Sequence, residues 1–569
     1  MKRSILIPLN LILAVLVLAA PQSFAESEQV KEIVGECSGG GVVVTASEEA
    51  TETGVRVLEE GGTAVDAAIA VGFALAVTYP RAGNLGGGGF MLIHQADGNN
   101  TFIDFREKAP LSAHRDMYLD SEGKVIRDLS TLGHRAAGVP GTVAGLALAH
   151  TEFGNMSWEK LVAPAIKLAE DGFNVSLEAA RLLYRIMDKY GSEYPGLSKF
   201  QQDDGNPIGP GYRLHQPALA STLRRIAERG GSEFYYGKTA QLIADEMKRG
   251  GGLITLEDLH KYRAEIREPV SGTYRDYRII SAPPPSSGGI VLLEILNILE
   301  GFPLTEYPPD SDNTVHLIVE AERRAYRDRA QYLGDPDYVD VPVNELISKS
   351  YGARMRSGIT SRASRSNELN RSWIEGEETT HYSIIDRFGG AVSTTVTLNG
   401  SYGSKVVVRG AGFLMNNEMD DFSIKPGVPN MYGLVGGRAN EVAPGKRMLS
   451  SMAPTIVMRD GEAFLILGSP GGSTIITSVA QVLINILDFC MSPSEALIKP
   501  RFHHQYLPDL IYHEENAFSP DLKRKLRERG HRLRKRSSIG DVQLIMKKDQ
   551  TACGYTDPRL KGCAGAAAN

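Results

Sequence analysis

The chain has 569 residues, 42% of them hydrophobic and 23% charged, an ordinary globular composition with length enough for several cores or for one large layered unit. Its formal net charge of -6 argues against a nucleic-acid partner, which calls for a basic surface.

Residues 1–25 carry Lys2 and Arg3, an apolar run over 11–20 and a Ser23-Phe24-Ala25 ending. This is the layout of a cleaved secretory signal, and the apolar run is shorter than the roughly 20 residues that span a bilayer. The expectation is an exported protein, periplasmic or secreted, with no stable membrane anchor once the leader is removed. Cys37, Cys490, Cys553 and Cys563 then permit disulfides. Cys553 with Cys563, close in sequence, is the expected pair, unpaired buried thiols are the alternative, and no spacing resembles a zinc site.

Ser47 is placed to cap a helix that opens on Glu48 and Glu49 and stops at Gly61-Gly62. An alanine-rich helix over about 64–77 is apolar on nearly every side and should be buried. The glycines of 86–89 lack the lysine and spacing of a phosphate-cradling loop, so close backbone packing is the better reading. Arg106 ends a strand-like run over 102–106 among apolar neighbours, where an arginine usually serves a structural ion pair. The stretch 141–374 reads as mainly helical, with apolar spacing over 161–168, 219–226 and 315–330. Ser286 and Ser287 lie in a loop without an adjacent base. Residues 350–376, rich in Ser, Arg and Asn, read as an exposed, poorly ordered segment.

Thr379 to Asp386 and Val396 to Asn399 flank Phe388, Gly389 and Gly390, a pattern of two β-branched strands with a glycine turn. As anonymous sequence that is structure only. A threonine freed at a chain start, however, carries its own base, the α-amine, beside its hydroxyl. Further on, Glu418, Asp420 and Asp421 form a short acidic run that reads, as anonymous sequence, as a solvated turn. A loop over 426–435 holds Tyr432 among prolines and glycines, and Ser450-Ser451 precedes a strand. Residues 455–458 and 463–467 make a hairpin on Asp460-Gly461, followed by an apolar helix over 473–489. Gly468 to Gly472 is the corner between them, where the glycines serve either a tight turn alone or the approach of the Gly471 and Gly472 amides to a ligand at the positive end of a helix. The nine Lys and Arg of 523–536, without aromatics, read as a solvated helix and turn, and His503-His504 as structural.

The order T-T-H-Y-S, a glycine turn, V-S-T-T-V-T-L-N and a Tyr-Gly pair closely resembles the start of the small subunit of the γ-glutamyltranspeptidases, self-cleaving N-terminal-nucleophile hydrolases. Similar stretches run through 83–90 (GNLGGGGF), 104–110 (DFREKAP), 283–289 (PPPSSGG), 416–437, 449–454 and 468–472, so the resemblance covers nearly all of the chain after the leader. It departs at Gly390, in the hairpin turn, with no expected catalytic consequence. The resemblance implies an α+β, four-layer αββα sandwich built from one precursor: leader 1–25, large subunit 26–378 and small catalytic subunit 379–569, the two subunits forming a heterodimer. It implies γ-glutamyl transfer from glutathione or related compounds to water or to amino acid and dipeptide acceptors. In that scheme Thr379 is the nucleophile, Thr397 orients it, and Gly471 and Gly472 hold the oxyanion. Asn399, Glu418 and Asp421 hold the substrate's α-amino group, Arg106, Ser450 and Ser451 its carboxylate, and Tyr432 closes over the site. No metal or organic cofactor is implied. The rival readings are a β-lactam or glutaryl acylase of the same superfamily and a non-catalytic exported binding protein; the joint presence of these residues counts against both.

Overall fold

The Val-Val-Val run of 42–44 shows how the layers are made. In the strand Gly41–Thr45 successive side chains point to opposite faces, and all three valines are fully buried. Val43 packs under helices while Val42 and Val44 face the other way, as expected of a strand covered on both sides. Gly88–His94 repeats the pattern, Met91 and Ile93 going with the first core, Phe90 and Leu92 with the second.

The computed structural model describes residues 33, 35–202, 204–366, 379–560 and 562–568; the leader assigned to 1–25 and the bond before Thr379 lie outside them. Two seven-stranded antiparallel sheets dominate. The first runs, in spatial order, Cys563–Ala566, Gly41–Thr45, Thr379–Asp386, Ala391–Thr397, Gly88–His94, Asn100–Phe105 and Glu265–Arg267. The second runs Glu36–Ser38, Thr551–Thr556, Gln543–Lys548, Glu462–Gly468, Thr455–Arg459, Tyr277–Ser281 and Val270–Tyr274. Helices including Glu48–Glu59, Ala64–Thr78 and Thr142–Phe153 cover the outer face of the first sheet, with Trp158–Asp171 packed on Ala64–Thr78. Gly288–Leu299 and Ile475–Leu487 cover the second, with Asp312–Tyr332 packed on Gly288–Leu299. The result is the α+β sandwich of helix, sheet, sheet and helix. Each sheet takes strands from both sides of residue 379. Among the described residues no helix is long and apolar enough to cross a membrane.

Some local expectations hold and others change. Ser47 precedes its helix, but its hydroxyl bonds Glu49 and Thr78 rather than a free N–H of the first turn. The alanine-rich helix is buried along its whole length and is capped by Thr63 with Asp66. Its start is tied to the central hairpin, because Asp386 accepts hydrogen bonds from Ala64 N at 2.8 Å and from Phe388 N and Gly390 N in the turn. The glycines of 86–89 are packing positions: a Cβ on Gly86, Gly87 or Gly89 would strike Leu414 O, Thr397 O or Thr395 O. Of the segment 350–376, residues 367–376 lie outside the described residues, and 350–366 is not loose. It starts in the helix Lys349–Ser357 and ends with Ser366 buried and bonded to Arg323 and Asp509. The basic stretch 523–536 folds as the end of the helix Pro520–Glu528, a turn and the strand Leu533–Lys535.

The disulfide joins Cys37 to Cys553, not Cys553 to Cys563. Cys37 and Cys553 face each other directly across neighbouring strands, whereas Cys563 lies opposite Thr45 in the other sheet. Cys490 and Cys563 are free thiols. Nearness in sequence was a poor guide because the turn after Thr556 carries the chain from one sheet to the other.

Candidate active site

The strand pair Thr379–Asp386 and Ala391–Thr397 sets the centre of the site. Its register puts Thr379 opposite Thr397, with the two hydroxyl oxygens 3.5 Å apart. Thr397 Oγ1 is itself fixed by accepting from Asn399 N at 2.8 Å. Alternation sends Thr379, His381 and Ser383 to one face, and there His381 bonds Thr395 at 2.9 Å and Ser383 at 3.1 Å, both within this layer. The imidazole also packs where any Cβ on Gly468 would fall. Burial pulls its pKa down to about 3, so His381 is neutral across the working range and occupied by its own strands. The neighbouring strand Gly41–Thr45 pairs only as far as Ser383, leaving the beginning of the Thr379 strand bordered on one side.

Thr379, Thr397, Asn399, Arg106, Glu418, Asp421, Tyr432, Ser450, Ser451 and Gly472 line one cleft, together with Leu434, Met452 and Ile475. Of the residues expected at the site, only Gly471 is not part of this lining; it stands immediately before Gly472 at the corner. Arg106 follows the end of the strand Asn100–Phe105 and is completely buried. Its Nη1 contacts Glu418, its Nη2 donates to Asp421 at 2.5 Å and its Nε to Met448 O at 3.2 Å. Burial alone would lower the pKa of the guanidinium, but Glu418, then Asp421 and Glu107, outweigh it and raise it. The acidic run is therefore not a solvated turn: Glu418–Asp421 is a short 3-10 turn with three residues buried.

Glu107 lies 3.5 Å from Arg106 Nη1. Neither of its carboxylate oxygens has a hydrogen-bond partner, and burial pushes its pKa up to about 7. Three carboxylates crowded round one guanidinium leave room for another cationic group, such as an ammonium.

Asp420 faces away and serves the loop. It accepts from Ser130 Oγ at 2.6 Å and from Met431 N at 2.8 Å, while Asn430 donates to Asp421 at 3.1 Å. So anchored, the loop places Tyr432 over the cleft, where its hydroxyl donates to Asn399 O at 2.5 Å. A Cβ on Gly472 would lie 2.6 Å from Tyr432 Cδ1, so the absence of a side chain there admits the ring. Gly471 and Gly472 have φ of 133° and 53°, conformations that favour glycine. The corner leads through the short turn Gly472–Thr474 into the helix Ile475–Leu487, the place where backbone N–H groups and helix polarity suit a developing negative charge.

Ser450 Oγ accepts from Met452 N at 3.1 Å, and Ser451 Oγ accepts from Arg329 Nη2 at 3.1 Å. Behind this pair stand Arg329 and Ser287, which donates from its hydroxyl to Ser450 O at 2.6 Å; the sequence reading gave neither a place here. The PPPSSGG stretch was a signal for Ser287; Arg329 had none, since a helix bearing Arg323, Arg324, Arg327 and Arg329 reads as solvent-facing. Among the described residues the group that matches metal-ligand spacing is His316, Glu320 and His531. There Arg323 and Arg324 hold both oxygens of Glu320 and the two imidazoles bond each other at 2.8 Å, an ion-paired knot away from the cleft. His503 and His504 are likewise structural, bonded to Thr477, Gln505 and Asp509.

Comparison with known proteins gives a consistent picture. Residues 50–567 match the family model described as Gamma-glutamyltranspeptidase. The chain is 48% identical over 550 residues to a glutathione hydrolase proenzyme of Escherichia coli (strain K12), covering 95% of this chain and 94% of that protein. Among solved structures, the cephalosporin acylase from Bacillus halodurans superposes with a TM-score of 0.84 at 29% identity, covering 97% of this chain and all (100%) of that one. The Helicobacter pylori gamma-glutamyltranspeptidase matches with a TM-score of 0.54 at 46% identity over 55% of this chain and 90% of its own.

Proposed function

The chain belongs to the γ-glutamyltranspeptidase family, and from that premise we propose a mechanism for its γ-glutamyl transfer and hydrolysis in which Thr379, freed by cleavage after Glu378, is the nucleophile. The observation that carries the proposal is the cleft itself: Thr379 and Thr397 open onto the same space as Arg106, Glu418, Asp421, Ser450 and Ser451. Those are charges and hydroxyls suited to both ends of an α-amino acid, in one cleft with the hydroxyl of Thr379.

Thr379 Oγ attacks the γ-carbonyl of glutathione or a related amide while its α-amine takes the hydroxyl proton. Gly471 and Gly472 donate to the oxyanion. The amine then protonates the departing nitrogen, leaving a γ-glutamyl ester on Thr379, which water or an amino acid or dipeptide amine resolves by the reverse sequence. Arg106 with Ser450 and Ser451 takes the α-carboxylate; Asn399, Glu418 and Asp421 take the α-ammonium; Tyr432 shields the ester. The precursor divides into leader 1–25, large subunit 26–378 and small subunit 379–569, which remain a heterodimer because both sheets mix their strands, and the product is exported.

The test compares a γ-glutamyl anilide with a glutaryl anilide, which lacks the α-amino group. The purified enzyme should turn over the first and discriminate strongly against the second, and Thr379→Ala should turn over neither. Preference for the glutaryl compound would move the chain to the acylase reading.

A further inference from the structure

Arg329 differs from the other deeply buried arginines in its company. Arg106 has Glu418 and Asp421, Arg447 has Asp104, Arg501 has Asp557, and Arg323 has Glu320 and Asp509. Arg329, 5% exposed, donates instead to two hydroxyls, Ser287 Oγ at 2.9 Å and Ser451 Oγ at 3.1 Å; among the described residues no carboxylate lies within ion-pair distance. The one carboxylate that acts on it from further off, Asp421, is already held by Arg106; a buried cation that only shares an anion is costly, and through Ser451 it reaches the lining of the cleft.

The hydrogen-bond directions point the same way. A hydroxyl has one proton and two lone pairs. Ser287 accepts from Arg329 and gives its proton to Ser450 O, which fixes the backbone of the serine pair. Ser451 accepts from Arg329 and Ser450 accepts from Met452 N, so both hydroxyls are held with their protons available to the cleft. They are pre-set as donors.

Building on the function proposed above, we infer that Arg329 is a specificity-determining positioning residue: through Ser451 and Ser287 it supplies the positive charge and hydroxyl orientation that select donors bearing a free α-carboxylate. Arg106, already shared among three acids, is not the sole cation at that end. The bond from Arg329 to Ser451 also crosses the proposed cut, so this half of the pocket is complete only in the assembled pair of subunits.

The experiment measures kcat/KM for two anilides, γ-glutamyl and 4-aminobutanoyl, the second lacking the α-carboxylate. In Arg329→Lys, which keeps a charge but not the paired hydrogen bonds, the ratio of the two should fall about tenfold, the loss of one charged hydrogen bond, through a raised KM for the γ-glutamyl donor with kcat little changed. Ser451→Ala should lower the ratio similarly, and adding Arg329→Lys to it should lower it little further. If Arg329→Lys does not yield folded protein, Ser287→Ala, which leaves the charge in place but frees it, should shift the ratio in the same direction. Equal losses on both donors, an unchanged ratio, or independent effects of Arg329 and Ser451 would overturn the inference while leaving the γ-glutamyl reading intact. Failure of the unmodified enzyme to use the γ-glutamyl anilide would overturn that reading instead.

Discussion

Arg106 has carboxylate partners before any ligand arrives, and this shapes what its removal does. Deleting it leaves Glu107, Glu418 and Asp421 buried without the guanidinium they surround, and breaking a buried pair from one side costs roughly 3 to 5 kcal/mol. Asp421→Asn is the cleaner probe, because it keeps the shape and removes one charge of three. A charged hydrogen bond is worth roughly 1.5 to 3 kcal/mol, so this variant should lose about tenfold to more than a hundredfold in kcat/KM for a γ-glutamyl amide while still processing its precursor; an unchanged kcat/KM refutes the assignment. His381 sits two residues from Thr379 yet is neutral and bonded to Thr395 and Ser383. As a base, the α-amine works only unprotonated, so activity should rise with pH through a group that titrates near 7.7 to 8.0 when unperturbed. His381, with its pKa near 3, titrates far below that limb. His381→Gln should therefore keep both the limb and most of the acylation burst, whereas selective acetylation of the Thr379 amine should abolish the burst. The opposite pair of results would reassign the base.

At the scale of elements, the corner after the strand Glu462–Gly468 and the loop carrying Tyr432 form one closure. Gly472 needs both its φ of 53° and its bare Cα, since a Cβ would meet the Tyr432 ring. Gly472→Ala should displace an oxyanion donor and the lid together, lowering kcat by roughly a hundredfold, the scale of losing one such donor, without unfolding the protein; stopped-flow acylation rates check it. The corner itself was legible in the sequence, as a Gly-Gly pair between an apolar strand and an apolar helix; its oxyanion role was not, since a tight turn alone explains the glycines equally well. The central hairpin was legible for a related reason: β-branched runs around a glycine turn leave little choice of structure. Other features were not. Nothing local says that Arg329 points inward from a helix of alternating charges. Cys553 and Cys563 are near in sequence but belong to different sheets, a tertiary fact that spacing does not carry. Ser47 has the right residue type for a cap, yet Glu49 and Thr78 compete for its hydroxyl. The roles of Arg106 and Tyr432 came from resemblance; composition left both ambiguous.

Over the whole molecule, the cut proposed before Thr379 would separate two chains that share both sheets and are also tied by the Cys37–Cys553 disulfide. The processed enzyme should thus run as one band on a non-reducing denaturing gel and as two after reduction. Cys37→Ser should give two bands without reductant, yet copurify as one assembly under native conditions, because Thr379–Asp386 lies between Gly41–Thr45 and Ala391–Thr397 and cannot leave without breaking the first sheet. Separation of the subunits in native Cys37→Ser would show that the disulfide, rather than the shared core, holds them. The disulfide also determines how the central claim is best tested: unreduced, a cleaved molecule differs from its precursor only by the added water. Intact-mass spectrometry of the purified, active and fully reduced protein should find two chains, the smaller beginning at Thr379, and a single chain for Thr379→Ala. One uncut polypeptide carrying full γ-glutamyl transfer activity would contradict the account, because Thr379 would then have no amine to act as its base.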